Sequence, residues 1–357
     1  MRGIIWDGAR LRVTDQLQVR PPGAGEVRVK VLASGICHTD LNMLESSYTP
    51  TPIILGHEAS GVVAEIGPDI TGWRVGDEVM VGTQTPCGTC RECQRGTPAN
   101  CDVTWGFVPA QPFSCEGQPV YSFANVSSFA GEIVVKASQL YGTKGLPSAQ
   151  AALIGCAVST GYCAAHRLGH VGAGDRVAVI GAGGIGVNAI QGAHLAGAEM
   201  ILAVDISPAK EAPARAFGAT HFLRAERGAD SQVLAAALRA YGPLDIAIEC
   251  SGAPTAVEAA IHGVKRGGRV VLIGMTRPGA RACFGLDDVL GGREIVSTMN
   301  GGARPAEDYP ALIRAAVEGR LNIADQISGR WKLDDVEQAM EALRAGRVTR
   351  AILDHTA

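Results

Sequence analysis

Four cysteines fall within fifteen residues of one another, at a spacing suited to binding a metal. Two residues separate the first from the second and the second from the third, and seven separate the third from the fourth. The set is Cys87, Cys90, Cys93 and Cys101. Four thiolates spaced in this way can converge on one tetrahedral zinc ion, and a site with all four positions filled is structural rather than catalytic. An iron–sulfur cluster and four unrelated buried cysteines are the alternatives.

A glycine-rich turn is the second motif with chemical meaning. Its members are Gly181, Gly183, Gly184, Ile185 and Gly186. The turn follows a predicted buried strand at residues 176–180 and opens an apolar helix, and Asp205 ends the next predicted strand. In that context, glycines let the backbone approach a dinucleotide pyrophosphate at a helix N-terminus. The Asp205 carboxylate can bind the adenosine ribose hydroxyls and repels a 2′-phosphate, which favours NAD over NADP. A glycine turn without a ligand is the alternative.

Three further residues of zinc-binding type are dispersed along the chain: Cys37, His57 and Cys156. Taken singly, a histidine beside a glycine is usually a satisfied histidine, and a cysteine in an apolar stretch is by default a small core residue. Together they offer two thiolates and one imidazole. Three such ligands with a fourth, open position are the catalytic form of a zinc site.

The elements that would position these residues change character along the chain. The first part is rich in short β runs bounded by Gly and Pro, at residues 26–32, 61–66, 77–81 and the end of 126–135. From about residue 170, strands alternate with helices, which predicts a parallel sheet covered on both faces. The predicted strands there are residues 176–180, 200–204, 244–249, 268–273 and 293–299. The predicted helices run from the glycine turn through residue 196, from an N-cap at Ser207, and at 233–241 and 255–264.

The last part of the chain has predicted helices at residues 307–318 and 333–344 and a strand at 350–353. The alternating module therefore lies inside the chain. The first and last parts can join as one domain around it.

Composition excludes several classes of protein. The chain has 357 residues, enough for about two domains. Lys plus Arg is 32 and Asp plus Glu is 35, a net charge of −3, so there is no strong basic footprint for nucleic acid. Two uncharged stretches, residues 145–166 and 177–198, are interrupted by glycine and polar side chains and do not predict membrane spans. The ten cysteines are too sparse for a disulfide scaffold and no signal pattern opens the chain, so we expect a cytoplasmic protein.

Taken in order, the motifs resemble those of the zinc-dependent medium-chain dehydrogenase/reductase family, the alcohol dehydrogenases. They are residues 35–40 (GICHTD), 56–58 (GHE), the four-cysteine lobe, 155–162 (GCAVSTGY), the glycine turn and 346–350 (GRVTR), and they span essentially the whole chain. The resemblance implies an α/β protein with a GroES-like, mainly-β catalytic domain formed by residues 1–157 and 300–357, its structural zinc lobe at about 84–103. A Rossmann domain with a doubly wound parallel sheet, residues 158–299, would bind NAD.

The resemblance also implies roles around a catalytic zinc. The three ligands correspond to Cys37, His57 and Cys156. Glu58 matches a nearby acid that can approach the metal, and Asp40 matches the carboxylate that orients the ligand histidine. Thr39 matches the hydroxyl that takes the proton of the alcohol. Two zinc ions per chain are therefore expected, one structural and one catalytic.

Ten residues match cofactor contacts in the family: His38, Thr160, Gly181, Gly183, Gly184, Ile185, Gly186, Asp205, Lys210 and Arg350. Of these, His38 and Arg350 match residues near the pyrophosphate, and Lys210 matches a lysine at the adenosine ribose. One position departs from the family pattern. In liver-type members a histidine ends the proton relay five residues after the first zinc ligand, and here that position is Asn42, which is no base near neutral pH. The proton must then leave through the ribose to water or to another group such as His38.

The family's reaction transfers hydride between a primary or secondary alcohol and NAD, giving an aldehyde or ketone. Thr83 matches a position where larger side chains narrow the pocket of ethanol-preferring relatives, and Phe123 matches another wall position. We therefore expect a roomy apolar pocket for bulky, allylic or aromatic alcohols. The alternative is a thiol-dependent formaldehyde dehydrogenase, because residues 106–129 resemble the corresponding loop of that class. An adduct carrying carboxylates would need cations at the pocket mouth, whereas residues 103–135 contain no Lys or Arg.

A homo-oligomer is also expected, because family members pair through the edge strand that ends the Rossmann sheet. The candidate is residues 293–299 (REIVSTM), which would otherwise expose unpaired backbone groups. A homodimer is the expectation, and a tetramer would need a second interface. A non-enzymatic zinc-binding interaction module is the remote alternative to the enzyme.

Overall fold

The computed structural model describes residues 1–104, 110–277 and 279–356, and the chain divides into two compact units. We call the first the split unit, which joins Met1–Cys156 to Arg304–Ala357. We call the second the inserted unit, Ala157–Ala303. The first residues of the 106–129 loop, 106–109, lie outside the described residues.

Two sheets make up the strands of the split unit. Among the described residues, the larger sheet contains Glu26–Ile36, Glu58–Ile66, Glu78–Val81, Glu132–Lys136, Leu140–Gly142, Ile327–Lys332 and Arg350–Asp354. The smaller contains Gly3–Trp6, Leu11–Thr14, Leu17–Val19, Ile53–Ile54, Ala110–Cys115 and Gln118–Ser122.

The long strand Glu26–Ile36 organises the larger sheet. It pairs antiparallel with Glu58–Ile66, Glu132–Lys136 and Arg350–Asp354. Its valines, at positions 27, 29 and 31, alternate onto the buried core face as the period of a strand requires. The strand Glu132–Lys136 pairs with its first half, whereas Glu58–Ile66 and Arg350–Asp354 flank its C-terminal end, at residues 33–36.

The helices of the split unit are Arg91–Gln94, His38–Glu45, Ser148–Leu153, Pro305–Val317 and Val336–Arg344. Short 3₁₀ turns lie at Pro98–Asn100, Ala137–Gln139, Ala324–Gln326 and Leu333–Asp335. The helix Ser148–Leu153 continues directly into a wider, π-type turn, Ile154–Val158.

The inserted unit is built on one parallel sheet. Across the sheet, the described strands run in the order His221–Arg224, Met200–Asp205, Arg176–Ile180, Leu244–Glu249, Val264–Leu272 and Glu294–Val296, all parallel. Numbered along the chain this is the order 3-2-1-4-5-6 of a doubly wound, dinucleotide-binding sheet. The predicted α/β fold class is confirmed.

Both faces of this sheet are buried, as a parallel sheet requires. Along the first strand, Val177 and Val179 belong to one apolar cluster, and Ala178 and Ile180 belong to the other. The helices are Ser159–Cys163, Gly186–Leu195, Glu211–Ala216, Ser231–Arg239, Pro254–Gly263 and Leu286–Leu290, with a π-type turn at Ala164–Leu168 and 3₁₀ turns at Pro208–Lys210 and Met299–Gly302. In the described parts of the chain, none of the helices has the length and apolar character needed to cross a bilayer.

Two strands of the inserted unit differ from the sequence analysis. The strand His221–Arg224 was not predicted, because it is four residues long with polar, exposed ends. The predicted strand at 293–299 is only Glu294–Val296, the part that pairs with residues 269–271 of the neighbouring strand, and a 3₁₀ turn follows at Met299–Gly302. The predicted N-cap position of Ser207 is confirmed, although its side chain makes no capping bond; its N–H donates to the carboxylate of Asp205 at 2.9 Å.

Candidate active site

The first candidate ligand, Cys37, lies where the central strand ends and a helix begins. The strand Glu26–Ile36 delivers Cys37 to the N-cap position of the helix His38–Glu45. The side chain of Asp40 accepts a hydrogen bond from the Cys37 N–H at 2.9 Å, which satisfies a donor that the helix cannot. The sulfur is thereby held at a helix N-terminus, where the helix dipole favours a thiolate.

Asp40 also holds the second candidate ligand, His57. Its other carboxylate oxygen accepts the Gly56 N–H at 3.0 Å and faces Nδ1 of His57 at 3.2 Å. The carboxylate therefore keeps the proton on Nδ1 and leaves Nε2 as a lone-pair donor. The ring of Phe123, predicted at a pocket wall, packs edge-on against His57 with the centroids 5.5 Å apart and is 2% exposed. These contacts give the imidazole a single orientation.

The third candidate ligand, Cys156, comes from the π-type turn Ile154–Val158. Turns of this kind occur frequently at functional sites. The ligand atoms of Cys37, His57, Glu58 and Cys156 all lie within 4.8 Å of one another. Two thiols, an imidazole with Nε2 available and a nearby carboxylate fit one zinc ion, with three protein ligands and an open position.

Glu58 forms a fully buried ion pair with Arg350, and sequence reasoning missed this partner. Strand register produces the pair, because Glu58 lies opposite Gly35 on one side of the central strand and Ala351 lies opposite Ile36 on the other. Gly35 provides the space, since a Cβ at that position would be 1.8 Å from a carboxylate oxygen of Glu58. The cofactor contact expected for Arg350 stays a prediction.

The two thiols of the cluster have opposite pKa shifts. A hydrogen bond from the thiol of Cys156 lowers the pKa of Cys37 well below its usual value, against the effect of burial, and His57 lowers it further. The same hydrogen bond and burial raise the pKa of Cys156 well above its usual value. The first proton of the pair is therefore lost readily, from Cys37, and the second is held at Cys156; a dication bound by both sulfurs would favour the loss of the second.

The imidazole and the carboxyl also have shifted pKa values. Burial lowers the pKa of His57, but the charges of Asp40 and Cys37 outweigh burial, so the pKa lies well above its usual value. Burial raises the pKa of Glu58 to about 7, although Arg350 opposes the shift. The negative groups around His57 therefore stabilise a positive charge there. They would stabilise a bound metal cation in the same way.

The four-cysteine lobe has the dimensions of a single zinc site. The sulfurs of Cys87 and Cys93 are 4.0 Å apart and those of Cys90 and Cys101 are 3.9 Å apart. Four thiolates at about 2.3 Å from one tetrahedral zinc lie about 3.8 Å from each other. Thiolates on different irons of a cluster would lie further apart, so this lobe fits one zinc better than an iron–sulfur cluster. The N–H of Cys90 also points to the sulfur of Cys87 at 3.2 Å, which stabilises a thiolate.

In the inserted unit, the glycine turn opens the helix Gly186–Leu195. A Cβ at Gly186 would lie 1.8 Å from the carbonyl oxygen of Gly181, so a side chain there would prevent the turn from closing. A Cβ at Gly183 would meet nothing within 4 Å. Asp205 is fixed because its carboxylate accepts the N–H of Ala182 at 2.9 Å. An open glycine, a helix N-terminus and a fixed carboxylate after the next strand fit the pyrophosphate and ribose of NAD.

The remaining predicted residues have the following positions. Thr39 is the second residue of its helix, with its hydroxyl 3.6 Å from the sulfur of Cys37. Capping at this helix is provided by Asp40, so Thr39 is not a cap. The hydroxyl of Thr83 donates to the carbonyl of Gly155, beside Cys156, at 3.4 Å. His38 is exposed and Thr160 is buried.

A second residue that sequence reasoning missed is Glu249, which ends the fourth strand of the inserted unit and is 1% exposed. Its carboxylate accepts the N–H of Ser251 at 2.7 Å and that of Gly252 at 3.0 Å. Burial raises the pKa of Glu249. The backbone of Ser251 lies against Gly181, so Glu249 shapes the surface beside the glycine turn. An acidic residue at a strand end followed by Ser-Gly was the available signal.

Comparison with known proteins agrees with this geometry. Residues 23–148 match the family model of the alcohol dehydrogenase GroES-like domain, and residues 184–318 match that of the zinc-binding dehydrogenases. The protein named alcohol dehydrogenase-like 6 of Arabidopsis thaliana is 32% identical over 361 residues, 98% of this chain and 94% of that protein. An S-(hydroxymethyl)glutathione dehydrogenase of Aspergillus oryzae is 32% identical over 363 residues, with the same shares.

Solved structures show the same likeness. An alcohol dehydrogenase zinc-binding domain protein from Burkholderia ambifaria superposes with a TM-score of 0.91 at 29% identity, covering 99% of this chain and 98% of that one. Benzyl alcohol dehydrogenase from Acinetobacter calcoaceticus superposes with a TM-score of 0.88 at 29% identity, covering 99% of each chain.

The chain therefore belongs to the zinc-dependent medium-chain dehydrogenase/reductase family, the zinc-binding alcohol dehydrogenases. It is an oxidoreductase, and zinc and NAD are the cofactors typical of its family. The non-enzymatic alternative is wrong.

Replacing the third ligand tests the two-zinc arrangement. Cys156→Ala should lower the zinc content from about two ions per chain to about one and abolish turnover, because only the four-cysteine lobe retains a full ligand set. Elemental analysis of the purified protein measures the zinc, and circular dichroism checks the fold. Cys115→Ala, at another buried cysteine of the split unit, should keep both ions. Two retained zinc ions in Cys156→Ala would show that the third ligand is misassigned.

Proposed function

We propose that this enzyme oxidises uncharged primary or secondary alcohols, in particular bulky, allylic or aromatic ones, to the aldehyde or ketone with NAD, and catalyses the reverse reduction. The observation that carries the substrate class is the absence of Lys and Arg from residues 103–135, a stretch with Glu116 and Glu132. This stretch therefore has no cation to offer to the carboxylates of a substrate, and its two glutamates form ion pairs with Arg12 and Arg28. An uncharged alcohol has no carboxylate and needs no such cation.

The small side chain of Thr83 also supports a bulky substrate. Its hydroxyl is engaged by the carbonyl of Gly155, so it presents little more than a methyl group beside Cys156. A benzyl alcohol dehydrogenase is among the solved structures that resemble this chain over its full length. We propose Thr83 and Phe123 as walls of the substrate pocket.

We further propose a division of roles between the two parts of the chain. Residues 1–157 and 300–357 would form the catalytic domain, because both metal-binding groups of side chains lie in the split unit. Residues 158–299 would bind NAD through the glycine turn, Asp205, Lys210 and Thr160. Burial lowers the pKa of Lys210 and the charge of Asp205 raises it.

The chain's own residues have defined tasks in this reaction. When bound, zinc supplies Lewis acidity that lowers the pKa of the alcohol, and NAD supplies the hydride acceptor. Cys37, His57 and Cys156 would hold the metal, and Asp40 keeps the proton on Nδ1 of His57 so that Nε2 faces it. Thr39 would take the alcohol proton and pass it outward, since its hydroxyl lies beside the first ligand and caps nothing.

A second candidate function is oxidation of the adduct of formaldehyde with a small thiol. Relatives named S-(hydroxymethyl)glutathione dehydrogenase, such as that of Aspergillus oryzae at 32% identity, favour it. The charge of residues 103–135 favours the simple alcohol.

A substrate panel decides between the two. Initial rates with NAD should be highest for aromatic and allylic alcohols, with kcat/KM about 10-fold or more above ethanol, because each extra buried methylene contributes about 1 kcal/mol. The same assay with formaldehyde and glutathione should give the lower value. A kcat/KM for the thiol adduct that exceeds every simple alcohol would establish the second function instead.

The role of Thr39 has its own test. Thr39→Ala should lower kcat about 100-fold, the usual contribution of a positioned proton acceptor, and Thr39→Ser should retain most of it. Stability should change little, since the helix is capped by Asp40. Steady-state kinetics and thermal melting measure the two effects. A large loss of melting temperature with unchanged turnover would mean that the residue is structural.

We also propose a homodimer formed through the edge of the inserted unit's sheet. The strand Glu294–Val296 ends the sheet, and the adjacent helix exposes Leu286 by 78% and Leu290 by 82%. A second copy related by a two-fold axis would cover both the open strand edge and these leucines. Light scattering at micromolar concentration should give the mass of two chains, and Leu290→Glu should shift it toward one. A wild-type mass of one chain would rule the dimer out.

A further inference from the structure

The three carbonyl groups that precede the candidate ligand His57 are all bound by one short segment, residues 127–129. The carbonyl of Ile54 accepts the hydroxyl of Ser127 at 3.1 Å. The carbonyl of Leu55 accepts the N–H of Phe129 at 3.1 Å, and the carbonyl of Gly56 accepts the N–H of Ser128 at 2.9 Å. The backbone that leads into His57 therefore follows the position of the 127–129 segment.

Ser34 ties the 127–129 segment to the strand that carries the first ligand. Its hydroxyl donates to the carbonyl of Ser128 at 2.5 Å, and both serines are fully buried. Ser34 lies on the central strand, three residues before Cys37. One hydroxyl thus connects the segment behind His57 to the strand that ends at Cys37.

His355, the residue directly after the strand Arg350–Asp354, completes this arrangement. Its Nε2 lies 3.1 Å from the hydroxyl oxygen of Ser34. Because the proton of that hydroxyl is donated to Ser128, the oxygen can only accept, so Nε2 of His355 must carry the proton. Nδ1 is buried and has no hydrogen-bond partner in the described structure. Burial lowers the pKa of His355 to about 4, so the ring stays neutral near pH 7 and keeps this tautomer.

We infer that Ser34 and His355 are positioning residues for the zinc ligand His57, acting through Ser128 and Gly56. The sequence of contacts runs from Nε2 of His355 to Ser34, from Ser34 to Ser128, from Ser128 to Gly56, and from Gly56 to the carboxylate that holds His57. This inference rests on the proposed catalytic zinc. It assigns to residue 355, which is 298 positions from the ligand, a role that no motif in its neighbourhood indicates.

Release of zinc from the holoenzyme to a chromogenic chelator tests this role. His355→Leu and Ser34→Ala should each speed the release of the catalytic zinc on the order of 10-fold, the lower end of what loss of an outer partner of a ligand costs. His355→Gln should stay near wild type, because its amide N–H can replace Nε2. The variant Cys156→Ala identifies the phase that belongs to the four-cysteine lobe, which should not change. Should His355→Leu fail to fold, His355→Asn replaces it, since its shorter amide does not reach Ser34.

Ser60→Ala is the matched control. Ser60 is equally buried in the same sheet, and its hydroxyl donates to the carbonyl of Ser148 at 2.6 Å, away from the 127–129 segment. Zinc release from this variant should match wild type even where its melting temperature falls. The double variant Ser34→Ala/His355→Leu should release zinc no faster than the faster single variant, because both act through one contact chain.

Three results would overturn the positioning role. They are a fall in melting temperature with unchanged release, equal acceleration of both zinc phases, and equal acceleration by Ser60→Ala. A wild-type chain that holds only the zinc of the lobe would instead contradict the proposed catalytic site, and the positioning role with it.

Discussion

The buried carboxylate of Asp40 is the interaction on which the candidate active site depends. It accepts the N–H groups of Cys37 and Gly56 and faces Nδ1 of His57, so one side chain connects the two segments that carry the first two ligands. Loss of such an acceptor leaves buried donors unsatisfied, at about 1–3 kcal/mol each. The carboxylate also makes Nε2 of His57 a stronger base toward a metal. The Asp40 carboxylate thus sets both the positions of the two ligands and the basicity of His57.

Charge balance is the second constraint on the site. With zinc bound, four negative groups would face three positive charges. The negative groups are the two thiolates and the carboxylates of Asp40 and Glu58, and the positive charges are those of the zinc dication and Arg350. Without Arg350 the excess would be two negative charges, beside a Glu58 carboxylate that is fully buried. A buried ion pair of this kind adds little net stability, but removing one partner costs about 3–5 kcal/mol. The fold therefore retains both members, and it keeps residue 35 a glycine so that the carboxylate fits.

Local chemistry explains how much of this arrangement the sequence predicted. The cysteine lobe, the glycine turn and the pairing of Cys37 with Asp40 are each set within a few residues, so spacing alone indicates them. The α/β class followed from the alternation of strands and helices. The ion pair of Glu58 with Arg350 joins residues 292 positions apart and arises from strand register, which no local pattern encodes. For the same reason the contact of Ser34 with His355 was not predicted. The edge strand His221–Arg224 was missed because it is only four residues long and has polar, exposed ends.

The two candidate metal sites would close loops of very different size. From Cys87 to Cys101 the chain runs through 15 residues, and from Cys37 to Cys156 it runs through 120. Since the entropy of closing a loop grows with the logarithm of its length, the longer closure costs roughly 2 kcal/mol more. A short stretch of chain can therefore bind an ion in the lobe before the rest of the protein has folded. An ion between Cys37, His57 and Cys156 would act instead as a long-range cross-link. It would join residues 120 positions apart in the chain, and it would form only once that part of the protein is assembled.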